Sequence, residues 1–165
     1  MPSIETESVS FHFRRPEEIS GKTLAELRDL VARGGAVGTA WIDEMLQSAF
    51  LIGYAEGPGG RVVGCEVLKV PKEAYRKKIE AATGLDLSGY LERGYAAVAE
   101  GYRGRGILGT IVRGLVEHGQ GRKAYVTTSM DNRPIVWLTE KNGMRLAGRY
   151  LNPGTGHEIG VFINR

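Results

Sequence analysis

Cysteine is nearly absent from this chain, because Cys65 is the only one among 165 residues. A lone cysteine excludes an intramolecular disulfide and a zinc site built from several thiolates. Long apolar runs are missing too, since none approaches the roughly 18 residues that a membrane-spanning helix needs. The first ten residues carry Glu5 and Glu7 and lack the apolar core of a signal peptide. We therefore expect a cytoplasmic protein that is not bound to a membrane.

Neither sign of charge dominates, because 22 lysines and arginines face 19 acidic residues and leave a net charge of +3. This mild excess suits an anionic ligand but does not by itself indicate nucleic-acid binding. The three histidines lie far apart and lack the spacing of metal ligands, so we expect no bound metal. Glycine, in contrast, is abundant at 24 residues, about twice the usual ~7%. We expect the excess in turns and in loops where the backbone approaches a ligand.

The length suits a single domain, and hydrophobic periodicity predicts its elements. The predicted strands cover residues 8–13, 49–56, 61–70, 90–99, 123–130, 144–151 and 157–163. Helices are predicted from a capping box at Thr23 to the glycines at 34 and 35, and over 39–48, 72–83, 107–118 and 133–142. This order is typical of an α/β or α+β domain, in which a mixed sheet carries helices on its faces.

One glycine-rich segment, residues 100–109, lies between a predicted strand and a predicted helix. Its glycines allow close backbone approach, and the free N–H groups of the following helix favour an anion. Arg103 and Arg105 add positive charge that can bind phosphate. The segment therefore predicts a phosphate-binding strand–loop–helix, although a tight structural turn with two solvated arginines fits the same residues.

Two nucleotide motifs match this chain only in part. Gly104, Gly106 and Gly109 fit the spacing GxGxxG, with Asp131 downstream as a candidate ribose ligand. However, the segment follows about 100 residues of other elements and leaves too little chain for a dinucleotide fold. A dinucleotide-binding protein is thus the weaker alternative. The segment 21–23, Gly-Lys-Thr, resembles the end of a P-loop but lacks its first glycine.

Two motifs in register resemble the GNAT acetyltransferases. The segment 103–107, Arg-Gly-Arg-Gly-Ile, is similar to the loop that binds the pyrophosphate of acetyl-CoA in that family. The segment 131–144 is similar to the second signature, an asparagine followed by a short helix that ends in a Tyr-Glu-Lys-x-Gly-Phe-like run. The resemblance implies one GNAT-like domain over 1–165, with a mostly antiparallel central sheet, a splayed pair of parallel strands, and helices on both faces. A helical insertion at about 71–89 departs from the generic pattern.

The resemblance also implies an activity: transfer of an acetyl group from acetyl-CoA to a primary amine by direct attack. Asn132 would contact the cofactor, and the main chain of Val98 would pair with its pantetheine arm. The residues implied to bind the pyrophosphate are Arg103, Gly104, Arg105, Gly106, Ile107, Leu108 and Gly109.

The chain departs from the family pattern at two positions. Leu108 takes the place of the motif's last small residue, with Gly109 one position late. Thr139 takes the place of the tyrosine that often protonates the CoA thiolate, and threonine is a poor acid. The second departure sustains an alternative of another class, an acyl-CoA-binding module that does not catalyse a reaction.

Amine acetylation needs a base, because an ammonium has no lone pair with which to attack. Glu92 is the candidate, since a regular strand would place it on one face with Gly94, Ala96 and Val98. Glu66 and a backbone-plus-water route are competitors, and a solvated strand-end glutamate is the alternative interpretation of Glu92.

The acceptor is not specified by the sequence. A small molecule, a protein amine and a nucleic-acid-linked amine are all compatible, and the family's dimers leave a homodimer open. The basic helix over 72–83 is interpreted either as a solvated face with a Glu73–Lys77 pair or as part of an acceptor side that prefers an acidic or nucleic-acid-linked substrate. Trp41 and Trp137 are expected in the core, with Trp41 alternatively at the border of the acceptor pocket.

Overall fold

The computed structural model describes residues 8–34 and 39–164. Its seven strands are β1 (Ser10–Arg14), β2 (Leu51–Glu56), β3 (Val62–Lys69), β4 (Leu91–Val98), β5 (Ala124–Ser129), β6 (Arg145–Leu151) and β7 (Glu158–Ile163). Its five α-helices are α1 (Gly21–Arg33), α2 (Ile42–Gln47), α3 (Glu73–Thr83), α4 (Ile107–His118) and α5 (Arg133–Lys141). This order confirms the prediction from periodicity. Part of the expected stop of α1, at residue 35, and most of the N-terminal segment lie outside the described residues.

The strands form one sheet in the order β1-β2-β3-β4-β5-β7-β6. Every neighbouring pair is antiparallel except β4 and β5, which are parallel. The parallel ladder joins only Leu91–Arg93 to Ala124–Val126, although both strands continue beyond it. The two strands therefore part after Arg93 and Val126. The predicted mixed sheet with a splayed parallel pair is confirmed.

Helices cover both faces of this sheet. On one face, α1 and α2 contribute Leu27, Leu30 and Ile42 to a core with Cys65. On the other face, α4 contributes a core of its own. Helix α3 packs near β6, where a Cβ on Gly148 would contact the side chain of Thr83. No helix among residues 8–34 and 39–164 has the length and apolar character to cross a membrane.

The start of α1 differs from the prediction. The cap is Ser20, whose Oγ accepts a hydrogen bond from the backbone N–H of Thr23 at 3.2 Å. The expected capping box at Thr23 is therefore wrong, because the cap lies three residues earlier, at Ser20. The side chain of Ser20 accepts a hydrogen bond from a backbone N–H of the first turn that has no partner within the helix. Gly21 and Lys22 consequently belong to the first turn of a helix.

A register shift between β3 and β4 changes which side chains share a face. Val67 pairs with Gly94, but Cys65 pairs with Ala97, so β4 carries one extra residue in between. An inserted residue reverses the alternation of the side chains beyond it. The expectation that Glu92 and Val98 lie on one face is therefore wrong.

The two tryptophans are not in the core. Trp41 is 55% exposed and Trp137 is 62% exposed. In α5 the fully buried position is Thr139, and a residue two places away lies about 200° around a helix, on the opposite side. The exposed rings are partly covered by cations, because Lys72 lies over Trp41 and Lys141 over Trp137.

Candidate active site

The glycine-rich loop between β4 and α4 contains three glycines in the left-handed backbone region. Gly101, Gly104 and Gly106 have φ angles of +87°, +75° and +75°, and a Cβ at any of them would meet no atom within 4 Å. These glycines are therefore required by the left-handed backbone, and open space remains beside them. The sequence prediction of a strand–loop–helix at this position is confirmed.

The first turn of α4 presents free N–H groups at the loop. The N–H of Thr110 donates to the carbonyl of Gly106 at 3.1 Å, which is the first intrahelical bond. The N–H groups of Ile107, Leu108 and Gly109 precede it and have no acceptor within the helix. The backbone N–H of Leu108 is thus as free as that of a small residue would be, while its side chain is half-buried. The arrangement can bind an anion.

The two arginines of the loop have different surroundings. The Nε of Arg103 donates to the carbonyl of Val98 at 3.1 Å, so this side chain ties the loop to the end of β4. The guanidinium of Arg105 lies 5.0 Å from the centre of the Tyr102 ring and is exposed. Arg103 therefore combines a structural contact with its charge, whereas Arg105 is a solvated cation at the loop.

The main chain of Val98 faces the gap between the parallel strands. The N–H of Ala99 donates to Val63 of β3 at 2.8 Å. Backbone groups alternate in direction along a strand, so those of Val98 point away from β3 and toward β5. Asn132 lies across the gap, as the exposed cap of α5 just after β5. The structure brings Val98, the loop and Asn132 to the same edge of the sheet, since parallel strands end together.

Glu92 lies where β4 and β5 begin to part, because it pairs with Tyr125 one step before the ladder ends. It is 6% exposed, and its Oε1 lies 2.9 Å from the Nζ of Lys69. Its Oε2 accepts a hydrogen bond from the hydroxyl of Tyr125 at 2.9 Å. The interpretation of Glu92 as a solvated strand-end residue is wrong, since Lys69 and Tyr125 hold the carboxylate in place.

Burial, with the negative charge of Glu92 as a smaller cause, raises the pKa of Tyr125. Tyr125 therefore remains protonated and keeps donating to the carboxylate at all ordinary pH values. Burial likewise raises the pKa of Tyr95, the aromatic residue of β4. Both hydroxyls are thus neutral rather than anionic, and that of Tyr125 donates to Glu92.

The competitor Glu66 has a different partner. Its carboxylate binds the guanidinium of Arg93 through two hydrogen bonds, at 3.1 and 3.2 Å, and both side chains are buried. Neighbouring residues of a strand point to opposite faces, so Arg93 and Glu92 lie on opposite faces of β4. Glu66 is therefore separated from Glu92 by the sheet.

A pocket of about 370 Å³ opens beside Glu92, and we call it the aromatic pocket. Its lining residues are Trp41, Met45, Lys69, Lys72, Tyr75, Glu92 and Tyr95. A second cavity of about 650 Å³ follows the end of β4, from Ala96 to Glu100, and reaches Arg103 and the end of α1. Sequence reasoning missed Lys69, which the structure shows to be buried together with the rest of β3.

Thr139 is fully buried, and its hydroxyl is the one buried side-chain oxygen in the described part of the chain without a hydrogen-bond partner. A group inside the core cannot donate a proton to a ligand in the gap. Among residues 8–34 and 39–164, no three side chains of the metal-binding types come together to hold an ion.

The fold has a gap between the parallel strands β4 and β5 and a glycine loop at the N-terminus of α4, and known proteins share this fold. No family model and no curated protein matches this chain. Solved structures do match it, and many are GNAT acetyltransferases. The chain has the GNAT fold. This confirms the fold expected from the two motifs.

Three solved structures illustrate the likeness to the GNAT fold. Arabidopsis thaliana NAA60 in complex with acetyl-CoA has a TM-score of 0.68 at 17% identity, over 93% of this chain and 98% of that one. A GNAT-family acetyltransferase from Streptococcus pneumoniae has a TM-score of 0.65 at 13% identity, over 94% and 98%. A putative acetyltransferase from Acinetobacter baylyi has a TM-score of 0.65 at 14% identity, over 94% and 93%. At identities this low, the structural likeness establishes a shared fold and nothing more specific.

Proposed function

We propose that this protein transfers an acetyl group from acetyl-CoA to a primary amine. The observation that carries the proposal is the gap between β4 and β5, with the anion-binding loop near one end and the carboxylate of Glu92 at the other. Acetyl-CoA combines a diphosphate with a long arm of amide groups and a terminal thioester. The loop suits the diphosphate, and the unpaired edges of the strands suit the arm. That NAA60 has been solved with acetyl-CoA supports the choice of ligand.

The residues that would hold acetyl-CoA are those of the loop and of the two strand ends. The N–H groups of Ile107, Leu108 and Gly109 would bind the pyrophosphate, with the charge of Arg105 beside them. The backbone of Val98 would pair with the pantetheine arm once Arg103 releases its carbonyl. Asn132 would contact the arm from the other side of the gap.

The residues around Glu92 would act on the amine. A neutral amine attacks the acetyl carbon, the C–N bond forms, the C–S bond breaks, and CoA leaves as a thiolate. The nitrogen must lose a proton, and Glu92 would accept it directly or through water. Tyr125 and Lys69 fix the position of this carboxylate, which favours a productive geometry. Thr139 is buried, so protonation of the thiolate falls to water or to another group.

Binding of acetyl-CoA is tested by thermal unfolding with acetyl-CoA, CoA and NAD in parallel. A ligand at about 100 times its Kd stabilises by roughly 2.7 kcal/mol, or about 5–10 °C here. We expect this shift with acetyl-CoA and CoA but not with NAD. Gly106→Ala should abolish it, because a side chain strains the left-handed backbone of the loop. Gly156→Ala is the matched control, since Gly156 has the same positive φ and open surroundings in the β6–β7 turn.

Catalysis is tested by release of the CoA thiol in the presence of a panel of amines. We expect Glu92→Gln to lower kcat by about 10²–10⁴-fold and to change the pH–rate profile. Glu73→Gln is the control, because Glu73 is an exposed carboxylate that pairs with Lys77 on α3. A Glu92→Gln variant with an unchanged profile would exclude Glu92 as the base. A thermal shift with acetyl-CoA but no thiol release with any amine would favour the non-catalytic module instead.

A further inference from the structure

The aromatic pocket has the features of a binding site for the acceptor. We propose that it takes a small amine that also carries a carboxylate and a flat apolar group, the chemistry of an aromatic amino acid. This inference rests on the proposed function and names its substrate class. The pocket lies beside Glu92, at the point where β4 and β5 part, so an amine bound in it would lie near the end of the gap.

The charges of the pocket favour an acceptor with an anionic group. Its only carboxylate, Glu92, is already neutralised by Lys69 at 2.9 Å, and both side chains are about 90% buried. Lys72 is then the surplus cation of the lining. Its nearest carboxylate, on Glu44, lies 3.9 Å away and is 63% exposed, so the attraction between them is weak. Glu44 therefore competes only weakly with a ligand carboxylate for Lys72, whose ammonium lies 3.1 Å from the centre of the Trp41 ring.

The same charges disfavour a cationic acceptor. A polyamine, or a lysine within a basic peptide, would bring further ammonium groups close to Lys72. Like charges at this distance repel, and Lys69 already offsets the negative charge of Glu92. Of the basic residues at the start of α3, Lys72 therefore lines a pocket and does not only face solvent.

The walls of the pocket favour a flat apolar group. Trp41 is 55% exposed and Tyr75 is 42% exposed, although large aromatic residues are usually covered. These two rings and Tyr95 surround one concavity, and exposed apolar surface gathered at a concavity marks a binding site. A volume of about 370 Å³ is near the lower end of the range for small-molecule pockets, which suits an amino acid.

The three features come from parts of the chain that are distant in sequence. Trp41 immediately precedes α2, Lys69 and Glu92 belong to β3 and β4, and Lys72 and Tyr75 belong to the start of α3. The hydroxyl of Tyr75 lies 3.4 Å from the Oγ1 of Thr127, which anchors the start of α3 to β5. The helix between β3 and β4 thus completes the pocket.

The test compares amines that differ only in the carboxylate: phenylalanine with 2-phenylethylamine, and tryptophan with tryptamine. Spermidine serves as the cationic amine. With saturating acetyl-CoA, we expect kcat/KM about tenfold or more higher for the carboxylated member of each pair. Equal values within the pairs, a preference for the amines without a carboxylate, or a preference for spermidine would overturn the proposal.

The variant Lys72→Met examines the cause of the preference. It keeps an unbranched side chain of similar length but removes the ammonium that lies over the Trp41 ring, so we expect the ratio within each pair to fall toward one. Lys77→Met is the matched control, because Lys77 lies on α3, is 65% exposed and pairs with Glu73 outside the pocket. Thermal unfolding of both variants checks that they fold. A ratio that survives Lys72→Met would overturn the assignment of the carboxylate to Lys72.

Failure of this inference is distinguishable from failure of the proposed function. Acetylation of spermidine alone, or only of the amines without a carboxylate, leaves acetyl transfer standing and overturns the substrate class. Absence of a thermal shift with acetyl-CoA, together with no thiol release from any of the five amines, overturns both.

Discussion

Replacing Glu66 with leucine is expected to destabilise the fold strongly, because it leaves the guanidinium of Arg93 buried without its carboxylate. The side chains are only 4% and 3% exposed, and two charge-assisted hydrogen bonds at 3.1 and 3.2 Å join them. Such bonds contribute about 1.5–3 kcal/mol each, and breaking a buried pair from one side costs about 3–5 kcal/mol. The guanidinium also donates to the sulfur of Met144, which is a weak acceptor.

Urea unfolding measures this loss as a change in the free energy of unfolding, and a thermal scan should show a fall of roughly 6–20 °C. The double variant Glu66→Leu/Arg93→Met should recover at least half of the loss, since apolar residues of similar size often replace a buried pair without cost. The surface pair Arg149–Glu158 is the control, because it is just as close, at 2.8 Å, but about half exposed. Glu158→Gln should cost less than about 1 kcal/mol. A loss below about 1 kcal/mol for Glu66→Leu would refute the reasoning.

Three further outcomes follow from the packing. Gly114→Ala should lower the free energy of unfolding in urea by about 1–3 kcal/mol, because its Cβ would overlap the ring of Phe13. Gly109→Ala is the control and should not lower it by this amount, because its Cβ would only touch Leu138. Cys65 should not react with a thiol reagent at pH 8 until urea unfolds the chain, since burial raises the pKa of this thiol from 9.0 to about 12; labelling of the native protein would contradict this. The unfolded chain then loses the thiol proton first, so the free energy of unfolding should fall as pH rises from about 9 to 12, and Cys65→Ala should flatten part of that slope in alkaline urea titrations.

The order of the elements was predictable because each depends on local pattern. The stripe at 108, 111, 112 and 115 places α4 at Ile107–His118, and alternation places the β6–β7 hairpin. The glycine loop was predictable for the same reason, since its residues are consecutive. These features need no knowledge of distant contacts.

The rest of the site depends on contacts between segments far apart in the sequence. The extra residue in β4 arises from its pairing with β3, and no local pattern marks it. The aromatic pocket joins three separate regions of the chain, so neither the role of Lys69 nor the exposure of Trp41 could be read from its neighbours. Glu92 was found by its strand position, but its partners Lys69 and Tyr125 appear only in three dimensions.

The parting of β4 and β5 means that this sheet has two free edges in its interior as well as two at its margins. Beyond Arg93 and Val126, one side of each strand carries donors and acceptors that the other strand does not use. Free edges elsewhere in proteins are places where foreign strands add and aggregates begin. Here they lie in the interior of the sheet, and the side chain of Arg103 already donates to one acceptor, the carbonyl of Val98. A ligand with a chain of amides would form hydrogen bonds with both free edges, so that its binding would also bridge the gap in the sheet.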